Sequence, residues 1–349
     1  MSTISAVPYY TQIRKKDEEV ESPPVCLYLE TTNRCNLLCQ TCPRTFASTE
    51  RPADLSLEQV KQIVEQVPNL QQAVLHGIGE PLMNKELPEI IKYLKGRSIN
   101  VLFNTNASLL DDNRQRALIE SGLDQLRVSL DAAEAESYAR VRGLRMFNII
   151  LKRLADFQKL KTELGVTRPV VSLWLVGLKE TIVQLPAFIK LAADLDVNEV
   201  YLQRLVYFDD HQGGQGVARP EQSLYNKLQQ DEERIIQEAI ELASSLGVKL
   251  NASGATSPES SLMSSRGDSP WSDCRRPWAL MYITANGNVL PCCIAPFVER
   301  DYDSLILGNV FKQPLAEVWN GPAYREFRAK LNSPNPHHAC SGCGLRWSL

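Results

Sequence analysis

The sequence lacks the features that mark several common classes of protein. No apolar run approaches the ~20 residues that a membrane-spanning helix needs, and residues 1–22 lack the apolar core of an export signal. The four histidines show no spacing that specifies a metal site, and basic residues are not in excess, because the net charge is −3. We therefore expect neither a membrane partner nor a nucleic-acid partner.

What is present is an ordinary globular composition together with many cysteines. The 349 residues are 44% hydrophobic and 23% charged, which is typical of a folded protein with room for one large domain and a smaller one. Nine cysteines in a chain without an export signal favour metal ligands over disulfides. We expect a cytoplasmic protein whose thiols bind metal.

Strand-like and helix-like patterns alternate between about residue 25 and about residue 205. A capping box formed by Ser56 and Gln59 begins the first long amphipathic stretch. Repeated β-α units predict an α/β fold with a parallel sheet covered by helices, and six units are too few for a complete barrel of about eight strands. The predicted strands are residues 25–30, 72–77, 99–104, 125–130, 170–176 and 199–205. The expected fold is therefore an open, partial (β/α)6 barrel of the TIM type, followed by a small cysteine-rich domain.

Changes in composition divide the chain into four parts. A Gly-rich stretch at 209–216 interrupts the alternating pattern, and a longer helix is predicted at 221–246. A stretch rich in Ser, Gly and Pro predicts a linker before the last cysteines. The parts are an N-terminal arm at 1–24, expected to be mobile, the barrel with its helical extension at 25–250, the linker at 251–273 and the C-terminal domain at 274–349.

Three cysteines follow the first predicted strand. Cys35, Cys39 and Cys42 have the spacing C-x-x-x-C-x-x-C, so their thiolates approach a metal cluster from one side. Iron–sulfur cubanes commonly take four cysteines, and three leave one iron open to a small molecule. The alternative is a structural zinc site, although zinc usually completes four ligands in a closed site. The spacing favours an iron–sulfur cluster with a vacant coordination position.

Polar residues and glycines follow the other predicted strands at their carboxyl ends, where barrels of this type collect functional groups. Glycine permits close approach of the backbone to a ligand. An ionised Glu accepts hydrogen bonds from an ammonium group, and Arg binds a carboxylate through two parallel hydrogen bonds. The residues at these ends are His76, Gly77, Gly79, Glu80, Pro81, Asn104, Thr105, Asn106, Ser129, Asp131, Gln203 and Arg204. One face is expected to bring the cluster, the glycines and the carboxylates together.

Over residues 25–205 these motifs, in this order, resemble the radical S-adenosylmethionine (SAM) superfamily. The resemblance implies a 4Fe–4S cluster on the first three cysteines, whose open iron binds SAM. It also implies that an electron from the cluster cleaves SAM, and that the resulting 5′-deoxyadenosyl radical takes a hydrogen atom from the substrate. The motifs that carry the resemblance are Cys35-x-x-x-Cys39-x-x-Cys42, Gly79-Glu80-Pro81, Thr105-Asn106 and Ser129-Leu130-Asp131.

The same resemblance implies which residues bind SAM. Gly79 and Glu80 would meet its methionyl amino group. Ser129 and Arg142 would meet its carboxylate or its ribose, and Asn106 would line the same pocket. A plain ion pair between Glu80 and Arg142 is the alternative for those two residues.

Two positions depart from the family pattern. Thr41 stands where many members have an aromatic residue that packs on adenine, and Ala107 stands where glycine is usual. We therefore expect the adenine to be held by other residues than the one at position 41.

A second cysteine group lies near the C-terminus, and four thiolates can complete the coordination of a cluster. A zinc site with four cysteine ligands is the alternative, because this set suits zinc geometry as well. The region, including a hairpin turn at Asn286 and Gly287, resembles the shortened SPASM domain called a twitch domain. The resemblance implies one auxiliary 4Fe–4S cluster bound entirely by protein. Its ligands would be Cys274, Cys292, Cys340 and Cys343.

Two neighbouring pairs of residues leave alternatives open in this region. Cys293 is the alternative to Cys292 as a ligand. The distance of Cys292 from the preceding glycine fits the family pattern better. Arg275 and Arg276 adjoin Cys274, where their charge would tune the potential of a cluster. A surface role for the two arginines is the alternative.

We expect a radical SAM oxidoreductase with two 4Fe–4S clusters, reduced by a flavodoxin or ferredoxin. One hypothesis is oxidation or rearrangement of a small polar metabolite, such as an aminocyclitol or a sugar, with the auxiliary cluster as electron acceptor. A second is radical modification of a ribosomal peptide or a cofactor-precursor peptide, and a third is an electron carrier or a zinc-stabilised binding protein. The ~25 residues before the first strand are too few for the peptide-recognition domain of many peptide-modifying relatives, which favours the small metabolite.

Overall fold

The computed structural model describes residues 15–47, 49–207, 218–224, 228–253, 257–262, 270–298, 300–341 and 343. Ten strands in this part of the chain form one continuous sheet. They are Cys26–Leu29 (β1), Gln72–Val74 (β2), Asn100–Thr105 (β3), Gln125–Ser129 (β4), Val170–Gly177 (β5), Glu199–Arg204 (β6), Lys249–Ala252 (β7), Leu280–Ile283 (β8), Asn288–Leu290 (β9) and Gly308–Asn309 (β10).

The order of strands in the sheet is β10-β9-β8-β1-β2-β3-β4-β5-β6-β7. Strands β1 to β7 are parallel neighbours in sequence order, and β8 adds to the other side of β1, also in parallel. Strands β9 and β10 continue the sheet in antiparallel fashion. The expected α/β fold with a partial barrel is confirmed, and all six predicted strands are present.

A seventh parallel strand lies where the sequence predicts the change from barrel to linker. Strand β7 pairs with β6 and includes the predicted boundary at residue 250. Its four residues include Lys249 and Asn251, so it has no apolar run that would reveal a buried strand. The predicted linker at 251–273 also contains a short helix, Pro258–Leu262.

Helices cover the sheet and begin largely where the sequence predicts them. The Ser56 hydroxyl accepts a hydrogen bond from the Gln59 amide (3.2 Å), and the Gln59 side chain accepts one from the Ser56 amide (2.9 Å), which confirms the capping box. The helices are Pro43–Phe46 (α1), Leu57–Val64 (α2), Leu87–Gly96 (α3), Asp112–Glu120 (α4), Ala135–Arg142 (α5), Phe147–Glu163 (α6), Leu185–Asp194 (α7), Gln230–Leu246 (α8), Pro258–Leu262 (α9), Arg276–Ala279 (α10), Leu315–Trp319 (α11), Pro322–Leu331 (α12) and His338–Ser341 (α13).

The helix predicted at 221–246 is shorter in the structure. It begins at Gln230, and residues 220–222 form a separate 3-10 turn. The Gly-rich stretch at 209–216 lies outside the described residues. In the described part of the chain, every helix is too short or too polar to cross a bilayer.

Side chains of the strands alternate between two buried clusters. Leu27 and Leu29 of β1 belong to the large core that the helices cover. Cys26, Val74 and their neighbours on β3 and β8 form a small apolar cluster on the opposite face, beside Tyr28. Because Tyr28 also lines the cavity described below, this small cluster is the floor of that cavity.

The N-terminal segment is bound to the C-terminal region. The indole of Trp278 donates a hydrogen bond to the Asp17 carbonyl (2.6 Å), and the Asn320 side chain pairs with both backbone groups of Val20 (2.8 and 3.0 Å). The arm at 1–24, predicted to be mobile, therefore contacts the C-terminal region through residues 17–20. No local pattern indicates these contacts, because Val20 and Asn320 are 300 residues apart.

The C-terminal region is tied to the barrel through its hairpin. The predicted turn at Asn286 and Gly287 joins β8 to β9, and Gly287 has φ +80° where a Cβ would lie 2.4 Å from the ring of Phe311. The carboxylate of Glu50, in the segment that follows the first cysteine triplet, accepts hydrogen bonds from the Thr284 hydroxyl and the Asn286 amide (both 2.9 Å). The two cysteine-bearing regions therefore form one connected body.

Candidate active site and auxiliary metal centre

A cavity of about 480 Å³ lies at the carboxyl ends of the parallel strands. Side chains from β1 to β6 and from β8 line its wall. Each residue that the sequence predicts for the first cluster and for SAM lines this one cavity. These residues are Cys35, Cys39, Cys42, Gly79, Glu80, Asn106, Ser129 and Arg142.

The cysteine triplet lies in the loop between β1 and α1. The Arg44 guanidinium donates a hydrogen bond to the Cys35 carbonyl (2.5 Å), and the Thr45 hydroxyl donates one to the Cys39 carbonyl (2.9 Å). Cys42 is the residue before the first turn of α1. The short helix therefore fixes the loop backbone while the three thiols line the cavity.

The chemistry of the triplet fits a metal cluster. Burial raises the pKa of the Cys35 thiol, and it raises the pKa of the Cys42 thiol to about 12. Without metal these two thiols are therefore neutral at physiological pH, and metal binding must release their protons. Soft thiolates on one side of an open cavity suit an iron–sulfur cluster.

Glu80 is a buried carboxylate, 2% exposed, whose position is fixed by three donors. It accepts hydrogen bonds from the Thr105 hydroxyl (2.7 Å), the Asn106 amide (2.7 Å) and the Leu82 amide (3.1 Å). Burial raises the pKa of Glu80, and these donors oppose that rise. A carboxylate has about four acceptor positions, so one remains for a donor in the cavity, such as an ammonium group.

Arg142 does not pair with Glu80, which was the alternative for these two residues. Its guanidinium forms an ion pair with Asp131 (2.5 Å) and approaches the Cys39 sulfur at 3.6 Å. Its buried Nε has no hydrogen-bond partner among the described atoms. An unsatisfied buried donor beside the cavity fits a ligand that brings an acceptor oxygen.

Asn106 connects the third strand to the cysteine loop. Its side-chain amide donates to Asn36 Oδ1 (3.1 Å), and its side-chain oxygen accepts from the Ser108 amide (2.9 Å). Ala107, where the family usually has glycine, has φ +56°, which is the left-handed region that glycine adopts most readily. Ser129 is half-buried at the end of β4 and lines the same cavity.

The two glycines after β2 serve packing within the protein as well as access to the cavity. A Cβ on Gly79 would lie 2.1 Å from the Thr32 carbonyl oxygen, and one on Gly77 would lie 2.3 Å from a Glu30 carboxylate oxygen. Both residues also line the cavity. Packing within the protein alone therefore requires glycine at both positions, whether or not a ligand binds.

Beside the predicted His76, one wall of the cavity contains three residues that the sequence patterns do not single out, Arg127, Trp174 and Tyr201. The rings of Trp174 and Tyr201 stack at 3.9 Å, and the Arg127 guanidinium lies 4.8 Å from the Trp174 ring. Burial lowers the pKa of His76 to about 3, so this imidazole is neutral at physiological pH. Strand alternation offers the missing signal, because Arg127 lies two residues before Ser129 and shares its face.

A second, much smaller cavity of about 40 Å³ lies in the C-terminal region. Apart from its cysteines it is lined mainly by apolar side chains, including those of Trp271 and Phe327. Burial raises the pKa of Cys292 and Cys340 far above the usual range for a thiol. The four predicted ligands, which come from three separate segments, all line it: Cys274, Cys292, Cys340 and Cys343.

The structure separates the two adjacent cysteines, of which the sequence favours Cys292 as the ligand. Cys292 lines the small cavity with the other three cysteines. Cys293 instead lines the large cavity, where the Tyr28 hydroxyl and the Arg276 guanidinium form hydrogen bonds with it. The geometry therefore places Cys292, and not Cys293, with the other predicted ligands.

The spacing of the sulfur atoms bears on the zinc alternative for both groups. A single zinc ion with Zn–S bonds of about 2.3 Å would hold its tetrahedral sulfur ligands about 3.8 Å apart. In the part of the chain that the structure describes, no three cysteine sulfurs lie within 4.8 Å of one another. The described sulfur positions therefore do not form a ready-made three-sulfur site for a single ion.

Two family models match the chain in the two regions just described. The model for the radical SAM superfamily matches residues 29–192. The model for the SPASM iron–sulfur cluster-binding domain matches residues 274–344. These ranges contain the first cysteine triplet and the second cysteine group, respectively.

Curated relatives match nearly the whole chain at low identity. A tungsten-containing aldehyde ferredoxin oxidoreductase cofactor-modifying protein from Pyrococcus furiosus is 25% identical over 92% of this chain and 87% of that protein. A PqqA peptide cyclase from Gluconobacter oxydans is 26% identical over 93% and 85%. Among solved structures, Streptococcus suis SuiB bound to the precursor peptide SuiA covers 95% of this chain and 72% of its own, with a TM-score of 0.67 and 18% identity, and so shares the fold.

Proposed function

Because this chain belongs to the radical SAM superfamily and ends in a SPASM iron–sulfur domain, we propose that it modifies a peptide or a cofactor-precursor peptide. SAM, a 4Fe–4S cluster and auxiliary iron–sulfur binding come with that membership. Beyond that membership, we propose a class of substrate, the residues that bind each group, and a reaction that oxidises the substrate.

The observation that carries the peptide hypothesis is the match to the PqqA peptide cyclase. That relative aligns over 93% of this chain and 85% of its own length, so the likeness includes the barrel and the C-terminal region together. The relative from Pyrococcus furiosus is named for modifying a cofactor, and it aligns over a similar share. Neither name supports an aminocyclitol or a sugar, so we favour the peptide over the small metabolite.

The residues around the first cysteine triplet have distinct tasks in this proposal. Cys35, Cys39 and Cys42 would hold the cluster, which together with SAM supplies the hydrogen-abstracting chemistry of the superfamily. Glu80, with one acceptor position left, would bind the methionyl amino group beside Gly79.

Three further residues would hold the rest of SAM. The unsatisfied Nε of Arg142 would donate to its carboxylate or to a ribose oxygen, while Asp131 fixes the guanidinium. Ser129 lines the same wall of the cavity. Asn106 would line the pocket next to the cysteine loop, since its amide contacts Asn36 in that loop.

The rest of the large cavity would receive the substrate. One wall contains Trp174 stacked on Tyr201, with the Arg127 guanidinium 4.8 Å from the Trp174 ring. The neutral imidazole of His76 and the hydroxyl of Tyr28 offer hydrogen bonds without a charge. Such a wall excludes water and orients one side chain of a peptide toward the first cluster.

The second cysteine group would hold one auxiliary 4Fe–4S cluster through Cys274, Cys292, Cys340 and Cys343. Full protein coordination in a small apolar cavity leaves no room for a substrate, which favours electron transfer. The reaction would then be a net oxidation, with a flavodoxin or ferredoxin as the donor to the first cluster. A location in a reducing cytoplasm, where thiols stay available to metal, belongs to the same proposal.

The experiment uses the cluster-loaded full chain, incubated anaerobically with SAM and a low-potential reductant. The candidate substrates are deuterated synthetic peptides encoded by short reading frames near its gene, with deuterated aminocyclitols as the competing set. We expect deuterium in 5′-deoxyadenosine, and a mass change in the substrate, with a peptide only. Both products are measured by liquid chromatography and mass spectrometry.

A matched control uses the Cys340→Ala/Cys343→Ala variant, which keeps the first site intact. It should still release 5′-deoxyadenosine but leave the peptide unmodified. Transfer of deuterium from an aminocyclitol, with none from any peptide, would reject the peptide hypothesis and support the small metabolite.

A further inference from the structure

Arg276 lies in the partition between the two cavities. It is the first residue of α10, two positions after Cys274, and its side chain is 6% exposed. Among the described residues, Arg276 and Ile294 are the two that line both the small cavity and the large one. Arg276 thus brings a charge to a wall that is otherwise apolar at this point.

The guanidinium of Arg276 lies among cysteine sulfurs from both cavities. Its Nη1 is 3.9 Å from the Cys274 sulfur in the small cavity, and it forms a hydrogen bond with Cys293 in the large one. An arginine guanidinium is not deprotonated in proteins, even where it is buried. The side chain therefore remains positively charged.

A buried positive charge is costly unless negative charge lies close to it. Neutral thiols do not supply that charge, whereas thiolates that bind iron do. A cluster held by four thiolates also becomes more negative when it accepts an electron. A fixed guanidinium in contact with one of its ligands stabilises the reduced form more than the oxidised form.

We infer that Arg276 sets the reduction potential of the auxiliary cluster, raising it so that the cluster accepts an electron from the neighbouring substrate cavity. This inference rests on the proposed auxiliary cluster and adds to it a positioning residue. Arg276 touches the wall on both sides, so its charge lies between the place where the electron is released and the place where it is accepted.

The neighbouring Arg275 provides a matched comparison. It has the same charge and lies one residue away, but its side chain is exposed. Solvent and salt screen an exposed charge, whereas a buried charge in contact with a ligand is screened much less. If any nearby positive charge raises the potential of the cluster, replacing either arginine will lower it. If the buried contact is the cause, only replacing Arg276 will lower it.

The test isolates the auxiliary cluster in the full chain by the changes Cys35→Ala, Cys39→Ala and Cys42→Ala. In this background Arg276→Gln, Arg276→Lys and Arg275→Gln are compared by potentiometric titration followed by electron paramagnetic resonance. We expect the midpoint potential to become more negative in R276Q and to stay at the parent value in R275Q. R276K, which retains the charge, should stay close to the parent.

Each remaining outcome decides the inference. An unchanged potential in R276Q, or equal shifts in R276Q and R276K, overturns it, because charge would then not be the cause. If R276Q loses the cluster while R276K keeps it with a parent-like potential, the positive charge is needed and the inference is supported. If both variants lose the cluster, the inference is overturned. If the parent background holds no reducible iron–sulfur cluster, the proposed auxiliary cluster itself fails, which is a separate result.

Discussion

The two cysteine-lined cavities differ in how the chain constructs them. The first takes its three cysteines from one loop of eight residues, Cys35 to Cys42. The second takes four cysteines from three segments that lie up to about 70 residues apart. A local set is positioned by a short helix and a few hydrogen bonds, while the distributed set depends on the whole C-terminal region folding correctly.

The cavities also differ in size and polarity. The first is about 480 Å³ and has carboxylates, arginines and amides in its wall, whereas the second is about 40 Å³ and mainly apolar. A roomy polar cavity with one ligand missing suits the binding and reaction of small molecules. A small, mainly apolar cavity lined by four predicted ligands suits electron transfer. The number of predicted ligands and the polarity of each cavity therefore favour the same assignment, with reaction in the first cavity and electron transfer in the second.

The largest expected effect comes from removing the first triplet. The combined change Cys35→Ala, Cys39→Ala and Cys42→Ala should reduce 5′-deoxyadenosine to background, because no iron would remain beside Glu80 and Arg142. About half of the iron should stay with the protein, since the second group is untouched. Product is measured by chromatography and iron by a colorimetric assay.

A matched control for that variant is Cys26→Ala. Cys26 is fully buried in the floor cluster and lines neither cavity, so both iron and product should remain near the wild-type level. If the triple variant still cleaved SAM, the division between the two cavities would be wrong.

The next effect distinguishes the adjacent cysteines of the second group. Cys292→Ala should lose up to half of the iron and all substrate modification, while uncoupled release of 5′-deoxyadenosine continues. Cys293→Ala should keep the full iron content, because its sulfur lies in the large cavity. Equal iron loss in the two variants, measured by the same assay, would contradict the separation that the structure makes between them.

The parts that the sequence predicts well are the local ones. Alternating strand and helix patterns identify six strands, and the spacing from Cys35 to Cys42 predicts a metal-binding triplet without any tertiary information. The Ser56 capping box is equally local. Such features follow from neighbours within a few residues, so a single sequence suffices.

The parts that the sequence does not predict depend on distant contacts. Nothing local tells that Arg276 is buried while Arg275 is exposed, or that Cys292 and Cys293 lie in different cavities. Strand β7 is missed because it is short and partly polar, and its pairing with β6 supplies the stability that its sequence does not indicate. The sequence places Asp131 at a strand end, but its ion pair with Arg142 follows only from the fold.

The smallest predicted effect concerns Glu30, which connects the two regions. It is 3% exposed, and its carboxylate accepts hydrogen bonds from the Ile78 amide (3.1 Å) near the first cavity. It also accepts from the Ala285 amide (3.1 Å) and the Tyr282 hydroxyl (3.2 Å) in the C-terminal region. Burial raises the pKa of Glu30 from 4.5 to about 7.

The direction of the pH effect follows from these two values. Between pH 4.5 and pH 7 the unfolded chain loses the Glu30 proton while the folded protein keeps it, so the free energy of unfolding decreases as pH rises. At about 1.4 kcal/mol per pH unit the loss is on the order of 3 kcal/mol by pH 8. Glu30→Gln should remove this part of the pH dependence, as measured by anaerobic urea unfolding of the cluster-loaded protein between pH 5 and pH 8.

The control for this prediction is Glu89→Gln, the same change at an exposed position on α3. It should leave the pH dependence of unfolding as it is in the wild type. If E30Q and the wild type instead lose stability in parallel as pH rises, Glu30 is ionised in the folded protein and its burial costs little. Unfolding is followed by iron-cluster absorbance and by far-ultraviolet circular dichroism. If both signals change in one transition, and the pH dependence of that transition changes in E30Q, the two cavities unfold as one unit that this carboxylate connects.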